Sequence, residues 1–246
     1  FSGGLTQFAL STMFPEVEHA VGRVIYAGGD DLLALLPLNS VFLAAEAIRK
    51  AFPEVAHYKT ISAGIVIIHR TYSLQAAVRA AKRAEHIAKE KYRTKVSGAF
   101  AFEILRRSGE PQSGGSAWER GGVSVIETLI GMRDAMRDGH IARGLASDIP
   151  ELLYSVVNTN DPEYARQLER EDRLTVRDTV INISDALRET NFKRLFERRC
   201  ADMYKPAEGL FDHLVKIGGS LPNGQGWFDV QALLYLARFL SQQGGA

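Results

Sequence analysis

Apolar positions change their period partway along the chain. In the first half, short helical stripes alternate with strand-like runs. Leu5, Phe8, Ala9 and Met13 keep helical spacing, and Pro15 is expected to end that helix. Gly22–Tyr26 and Leu32–Leu36 predict the two strands of a hairpin. Asn39 is placed to cap a helix reaching about Phe52, with Val41, Ala44, Ala45 and Ile48 along its buried stripe. Thr60–His69 is a nearly unbroken apolar, β-branched run. It predicts a central strand buried on both faces. Ser73 caps a helix from Leu74 to about Tyr92, and Val96–Leu105 predicts a closing strand. The order is helix, hairpin, helix, strand, helix, strand, an α+β sheet with helices packed on it. A ferredoxin-like palm needs one more strand in front of the first helix.

Residues 110–116, Glu-Pro-Gln-Ser-Gly-Gly-Ser, have linker composition and predict a boundary. The expected domains are therefore 1–110, a linker at 111–117, and 118–246. Beyond the linker the periodicity is helical. It predicts helices over Ser124–Arg137, Pro162–Arg173, Val176–Glu189, Phe192–Met203, Gly209–Ile217 and Trp227–Ser241, an α-helical bundle domain.

Composition narrows the class without naming a chemistry. With 46% hydrophobic and 24% charged residues, the 246-residue chain is ordinary for a soluble globular protein. No apolar run approaches the ~20 residues of a membrane span. A single cysteine, Cys200, excludes internal disulfides and fits a reducing cytoplasm. The chain opens Phe1-Ser2-Gly3-Gly4, with no Met and no signal-peptide pattern, as expected of a segment from inside a longer protein. Residues 1–110 carry 14 Lys/Arg against 10 Asp/Glu, and the remainder 16 against 19. Neither half has the basic excess of a protein that grips nucleic acid unaided.

The candidate chemistry sits in the hairpin. Tyr26-Ala27-Gly28-Gly29-Asp30-Asp31 puts two glycines and two adjacent carboxylates between apolar strands. Glycine supplies the positive φ of a tight turn and lets phosphates approach the backbone. Two neighbouring carboxylates repel unless a cation neutralises them, and magnesium shared with phosphates meets that demand. An exposed polar turn is the bland explanation for the same residues, and about as common. Ser62-Ala63-Gly64 places small residues at the start of the apolar strand. A strand glycine marks close approach of either a ligand or a packed helix. Between Arg79 and Lys95 lie seven basic residues and two acidic ones, with Lys82, Lys89 and Arg93 near one another on the helix. A solvated face explains them by default; beside a nucleotide they neutralise phosphate. His69 at a strand end is expected to be a structural hydrogen-bonding residue, and no histidine pair shows metal-ligand spacing.

Gly22–Leu38, with its Gly-Gly-Asp-Asp turn and the flanking Leu-Leu-Ala-Leu-Leu-Pro-Leu, resembles the GGDD hairpin of the palm/cyclase domain in the large subunit of type III CRISPR effector complexes, on the Cmr (III-B) side. Thr60–His69 is similar to that family's next strand, and Ala84–Lys89 to its helix ending in Ala-Lys. The resemblance spans about residues 2–118. It implies an enzyme, a nucleotidyltransferase that joins ATP into cyclic oligoadenylates when the complex holds target RNA. A 3′-hydroxyl attacks an α-phosphate and pyrophosphate leaves, with two Mg²⁺ or Mn²⁺ ions about 3.5–4 Å apart. By position, Asp30 and Asp31 hold metal, Gly28 and Gly29 admit the triphosphate, Ser62, Ala63 and Gly64 line the pocket, and Lys89 meets phosphate. The implied partners are ATP, the other subunits, and guide and target RNA through the complex, with no membrane. The family's aspartate-bearing first strand, its His-Asp nuclease module, its cysteine zinc element and its first palm have no counterpart in this sequence. The expectation is thus a palm lacking its first strand and inactive alone. The alternatives are a catalytically idle scaffold subunit of an RNA-guided complex, or a diguanylate/adenylate cyclase-like signalling enzyme. The latter carries Gly-Gly-Asp/Glu-Glu-Phe at the turn, and Leu32 argues against it.

Overall fold

The computed structural model of the chain describes residues 2–28, 31–52, 60–94, 97–106, 111–154, 185–201, 206–221 and 226–243. They divide into two units, Phe1–Glu119 and Arg120–Ala246. The first is mixed α+β, built on small sheets.

Leu5, Phe8, Ala9 and Met13 form a buried helical stripe as their spacing requires, but Pro15 does not end the helix. Helix α1 (Ser2–Phe8) passes through a π-helical turn at Ala9–Met13 into α2 (Phe14–His19). Pro15 lies just past the π-helical turn, whose wider hydrogen-bond pattern interrupts the regular ladder where the proline enters it. Strands β1 (Arg23–Gly28) and β2 (Asp31–Leu35) pair as an antiparallel hairpin. Helix α3 (Val41–Ala51) follows Ser40 rather than the expected cap Asn39. The Ser40 hydroxyl donates to the Ala20 carbonyl at 2.8 Å, tying the loop to the end of α2. Leu5, Phe8, Met13 and Val17 pack with Ile48 and Phe52, and the Phe8 and Phe52 rings meet edge-to-face at 5.5 Å. Val24, Ala27, Leu32, Ala34 and Leu36 lay one face of the hairpin on this cluster, and Ile61 reaches it as well.

The second sheet has the order β3-β4-β5: β3 (Ala63–Ile68) runs parallel to β4 (Ala99–Leu105), and β4 antiparallel to β5 (Gln112–Ala117). Its central strand is β4, with Ala99, Phe100, Ala101, Phe102 and Ile104 buried, and not the apolar β3. In β3 only Ile65 is fully buried, because the strand has one neighbour among the described strands. Of the segment 111–117, expected to be a linker, Gln112–Ala117 form β5. Its backbone completes a ladder to β4, and its small residues allow a close approach: a Cβ on Gly115 would fall 2.6 Å from the Tyr92 ring. The Trp118 indole N–H then donates to the Ile61 carbonyl at 2.8 Å. Helix α4 (Leu74–Ile87) packs on β3 and ends in a π-helical turn at Ala88–Tyr92. Ser73 caps it, its hydroxyl accepting from the Ala76 N–H at 3.4 Å.

At the boundary lies a short ribbon of β6 (Glu119–Arg120) and β7 (Val123–Ser124), which helical periodicity did not reveal. Gly121 and Gly122 join the two with positive φ. Helices follow: α5 (Val125–Arg137), α6 (Leu145–Tyr154), α7 (Asp185–Arg199), α8 (Pro206–Gly218) and α9 (Gly226–Gln242). α6 was not expected, and α7 starts earlier and ends earlier than the sequence stripe. The helix expected over 162–173 and the start of the one expected over 176–189 lie outside the described residues. Phe192, Phe196, Phe211 and Trp227 form an aromatic cluster joining α7, α8 and α9. Arg120 and Asp229 form a buried ion pair at 3.7 Å. Among the described residues, no helix is long and apolar enough to cross a membrane.

Candidate nucleotide site

The hairpin places Asp31 at its end. Gly28 pairs with Asp31, so the two strands terminate on the residues flanking Gly29 and Asp30, which themselves lie outside the described residues. Asp31 is exposed, and no ion pair to it occurs among the described residues. An exposed carboxylate with no cationic neighbour is the hard oxygen donor that a divalent cation takes. No group of three or more His, Cys, Asp or Glu side chains within metal-binding reach occurs among the described residues.

Ser62 and Ala63 lie where the sequence places them, at the entry to β3, and both are half-buried. The preceding Ile61 links this entry to the hairpin, because Ile61 packs on the same core as Ala27 and Leu32, the neighbours of Gly28 and Asp31. Ser62 and the hairpin end thus share one support.

Gly64 does something other than line a pocket. A Cβ there would run into the Ala81 carbonyl and the Glu85 N–H, well inside the 3.0 Å that real side chains respect. The glycine lets α4 lie directly on β3, the helix-packing alternative for a strand glycine. Lys89 stands in the π-helical turn after α4, where its ammonium pairs with the Glu85 carboxylate at 2.6 Å. Gly64, Glu85 and Lys89 are therefore one local assembly, since Glu85 supplies both the backbone that Gly64 accommodates and the carboxylate that holds Lys89. Among the described residues no ion pair joins Lys89 to the hairpin. Half-exposed, the Lys89–Glu85 pair contributes little to stability.

The rest of the basic helix is mainly solvated. Arg83 reaches Glu103 at 3.5 Å, and Arg79, Lys82 and Arg93 are exposed. His69 is exposed, and its Nδ1 lies 2.9 Å from the Thr71 hydroxyl, the structural role expected of it. Two residues escaped sequence reasoning. Glu85 was seen only as one of two acids in a basic run, although it lies at i−4 from Lys89, a spacing that signals the pair. Tyr26 was counted as an ordinary strand residue, and nothing in the apolar pattern marks it as solvent-facing.

Residues 1–97 match the family model of the Cas10/Cmr2 second palm domain. The chain is also 34% identical over 106 residues to the CRISPR system Cmr subunit Cmr2 of Pyrococcus furiosus, covering 40% of this chain. The match spans only 12% of that protein's length. Both similarities fall on the region that carries the hairpin, β3 and α4.

Proposed function

Taking the amino-terminal region as Cas10/Cmr2-like, we propose that the chain is part of a type III CRISPR large subunit that joins ATP into cyclic oligoadenylates in response to target RNA. One observation carries this proposal: within the palm-matched residues, the hairpin ends in Gly28 and the exposed Asp31, which has no ion pair among the described residues, on either side of Gly29-Asp30 in the sequence.

In this function, Asp30 and Asp31 hold Mg²⁺ or Mn²⁺, and Gly28 and Gly29 keep the backbone open to the triphosphate. Ser62 and Ala63 flank the nucleotide, supported on Ile61. Gly64 acts at one remove, by seating α4, whose Glu85 holds Lys89. Lys89 exchanges Glu85 for phosphate, a small cost because the pair is half-exposed. Ions held there by Asp30 and Asp31 would supply charge neutralisation to the phosphates. The chain's own share is to orient the α-phosphate for an incoming 3′-hydroxyl, with pyrophosphate leaving in line. The fold proposed for the intact subunit is a ferredoxin-like palm, completed by a strand beside the hairpin and followed by a helical bundle that docks other subunits, in the cytoplasm.

The competing function is a scaffold subunit with an idle palm, favoured by the commitment of Gly64 to helix packing and of Lys89 to Glu85. ATP binding by the full chain, with and without Mg²⁺, separates the two. Metal-dependent binding that Lys89→Ala weakens supports the nucleotide site. Absence of binding supports the scaffold.

A further inference from the structure

The β1–β2 hairpin turns an aromatic ring toward solvent that regular strand alternation would bury. Val24 and Ala27 both face the hydrophobic core, although they are three positions apart. A strand of period two cannot do this. The pairing register shifts between Val24 and Tyr26, so one extra residue is accommodated there. The consequence is that Tyr26, which would have followed Val24 inward, is 56% exposed and opposite Leu33. Bulges of this kind re-aim a side chain at the cost of ladder regularity.

The re-aimed ring has a defined destination. Its phenol end lies over Gly28: a Cβ on that glycine would stand 2.6 Å from the Tyr26 hydroxyl and 2.9 Å from Cζ. Gly28 is the register partner of Asp31. Gly28 therefore leaves room for the Tyr26 ring, a second reason for glycine at this position beside the approach of phosphate. The ring is half in water beside Gly28, and no protein group fixes its hydroxyl among the described residues.

We infer that Tyr26 is the nucleotide-positioning residue of this site, its ring stacking on the purine base of a nucleoside triphosphate whose phosphates lie at Gly28 and Asp31. This rests on the nucleotide-site function proposed above and adds the group that holds the base. Stacking uses the π-face common to all bases, so Tyr26 secures a purine without choosing between adenine and guanine.

Affinities of the full chain for ATP and for GTP, each with Mg²⁺, test it by calorimetry. Tyr26→Ala is expected to weaken both by the same factor, roughly five- to a hundredfold, and to leave the melting temperature unchanged because the ring is exposed. Tyr26→Phe restores the loss, because the ring and not the hydroxyl does the work. Asp31→Asn is the control on the site itself and removes the Mg²⁺ dependence. If Tyr26→Ala binds both nucleotides like wild type while Asp31→Asn loses metal dependence, the site stands and the role of Tyr26 falls. A loss confined to ATP, or a Tyr26→Phe as weak as Tyr26→Ala, overturns stacking. If wild type binds neither nucleotide, the nucleotide site falls and Tyr26 with it.

Discussion

The hairpin and the β3-β4-β5 sheet belong to one unit and are built to opposite specifications. The sheet is close-packed: β4 is buried almost throughout, Gly64 and Gly98 are pressed against backbone, and the Trp118 indole closes on Ile61. The hairpin lays one face on the core and leaves Ile25, Tyr26 and Leu35 partly in water on a ladder broken by a register shift. Burial is thus concentrated in the sheet, and the groups proposed for chemistry belong to the less constrained hairpin. Functional groups are commonly carried by exposed segments that a rigid scaffold positions.

The sharpest way to break the contrast is to empty the sheet. Phe100 is fully buried and packs against Trp118 at 5.1 Å between ring centroids. Phe100→Ala is expected to cost about 4 kcal/mol by denaturant titration, and a loss below ~1 kcal/mol would contradict a close-packed sheet. Two glycine substitutions sharpen the same contrast. Gly64→Ala drives a methyl into the α4 backbone and is expected to cost about 3 kcal/mol, since helix and strand must separate. Gly28→Ala meets only the movable end of the Tyr26 side chain, so its cost is expected to stay under ~1 kcal/mol. Equal losses at the two positions would erase the distinction.

The smallest effect lies in the second unit and concerns pH. The Arg137 guanidinium donates to Asp138 at 2.9 Å and holds its carboxyl below the ordinary value. A depressed carboxyl stabilises the fold above its unfolded value near pH ~4, and the effect is lost as pH falls through the lower folded value. Both groups are exposed, so Asp138→Asn should flatten the acid limb of a melting-temperature profile only slightly, and less in high salt. A large shift at neutral pH would show that Asp138 has a further partner.

The order of elements in the first unit was legible because apolar period and capping residues agree there. Ser73 caps the helix that its position announces. The failures have definite causes. An apolar run does not distinguish a central strand from an edge strand, since pairing is set by distant segments, and β4 took the place expected for β3. Gly-Ser composition resembles a linker until a neighbour such as Tyr92 requires the small residues of β5. At the candidate site, Asp31, Gly28, Ser62 and Ala63 stand out in sequence because glycine, serine and paired carboxylates are chemically distinctive. The task of Gly64 was ambiguous between ligand and helix, and only the position of α4 decides it. Tyr26 was invisible, because a one-residue register shift leaves no mark on composition.

The central claim is that the hairpin end carries the chemistry and little of the stability. Asp30→Ala with Asp31→Ala, made in the assembled subunit and assayed for nucleotide polymerisation alongside thermal melting, addresses it most directly. The account predicts loss of product formation with a melting temperature unchanged within a few degrees. Undiminished product in the double variant, or unfolding in place of selective loss, would contradict it.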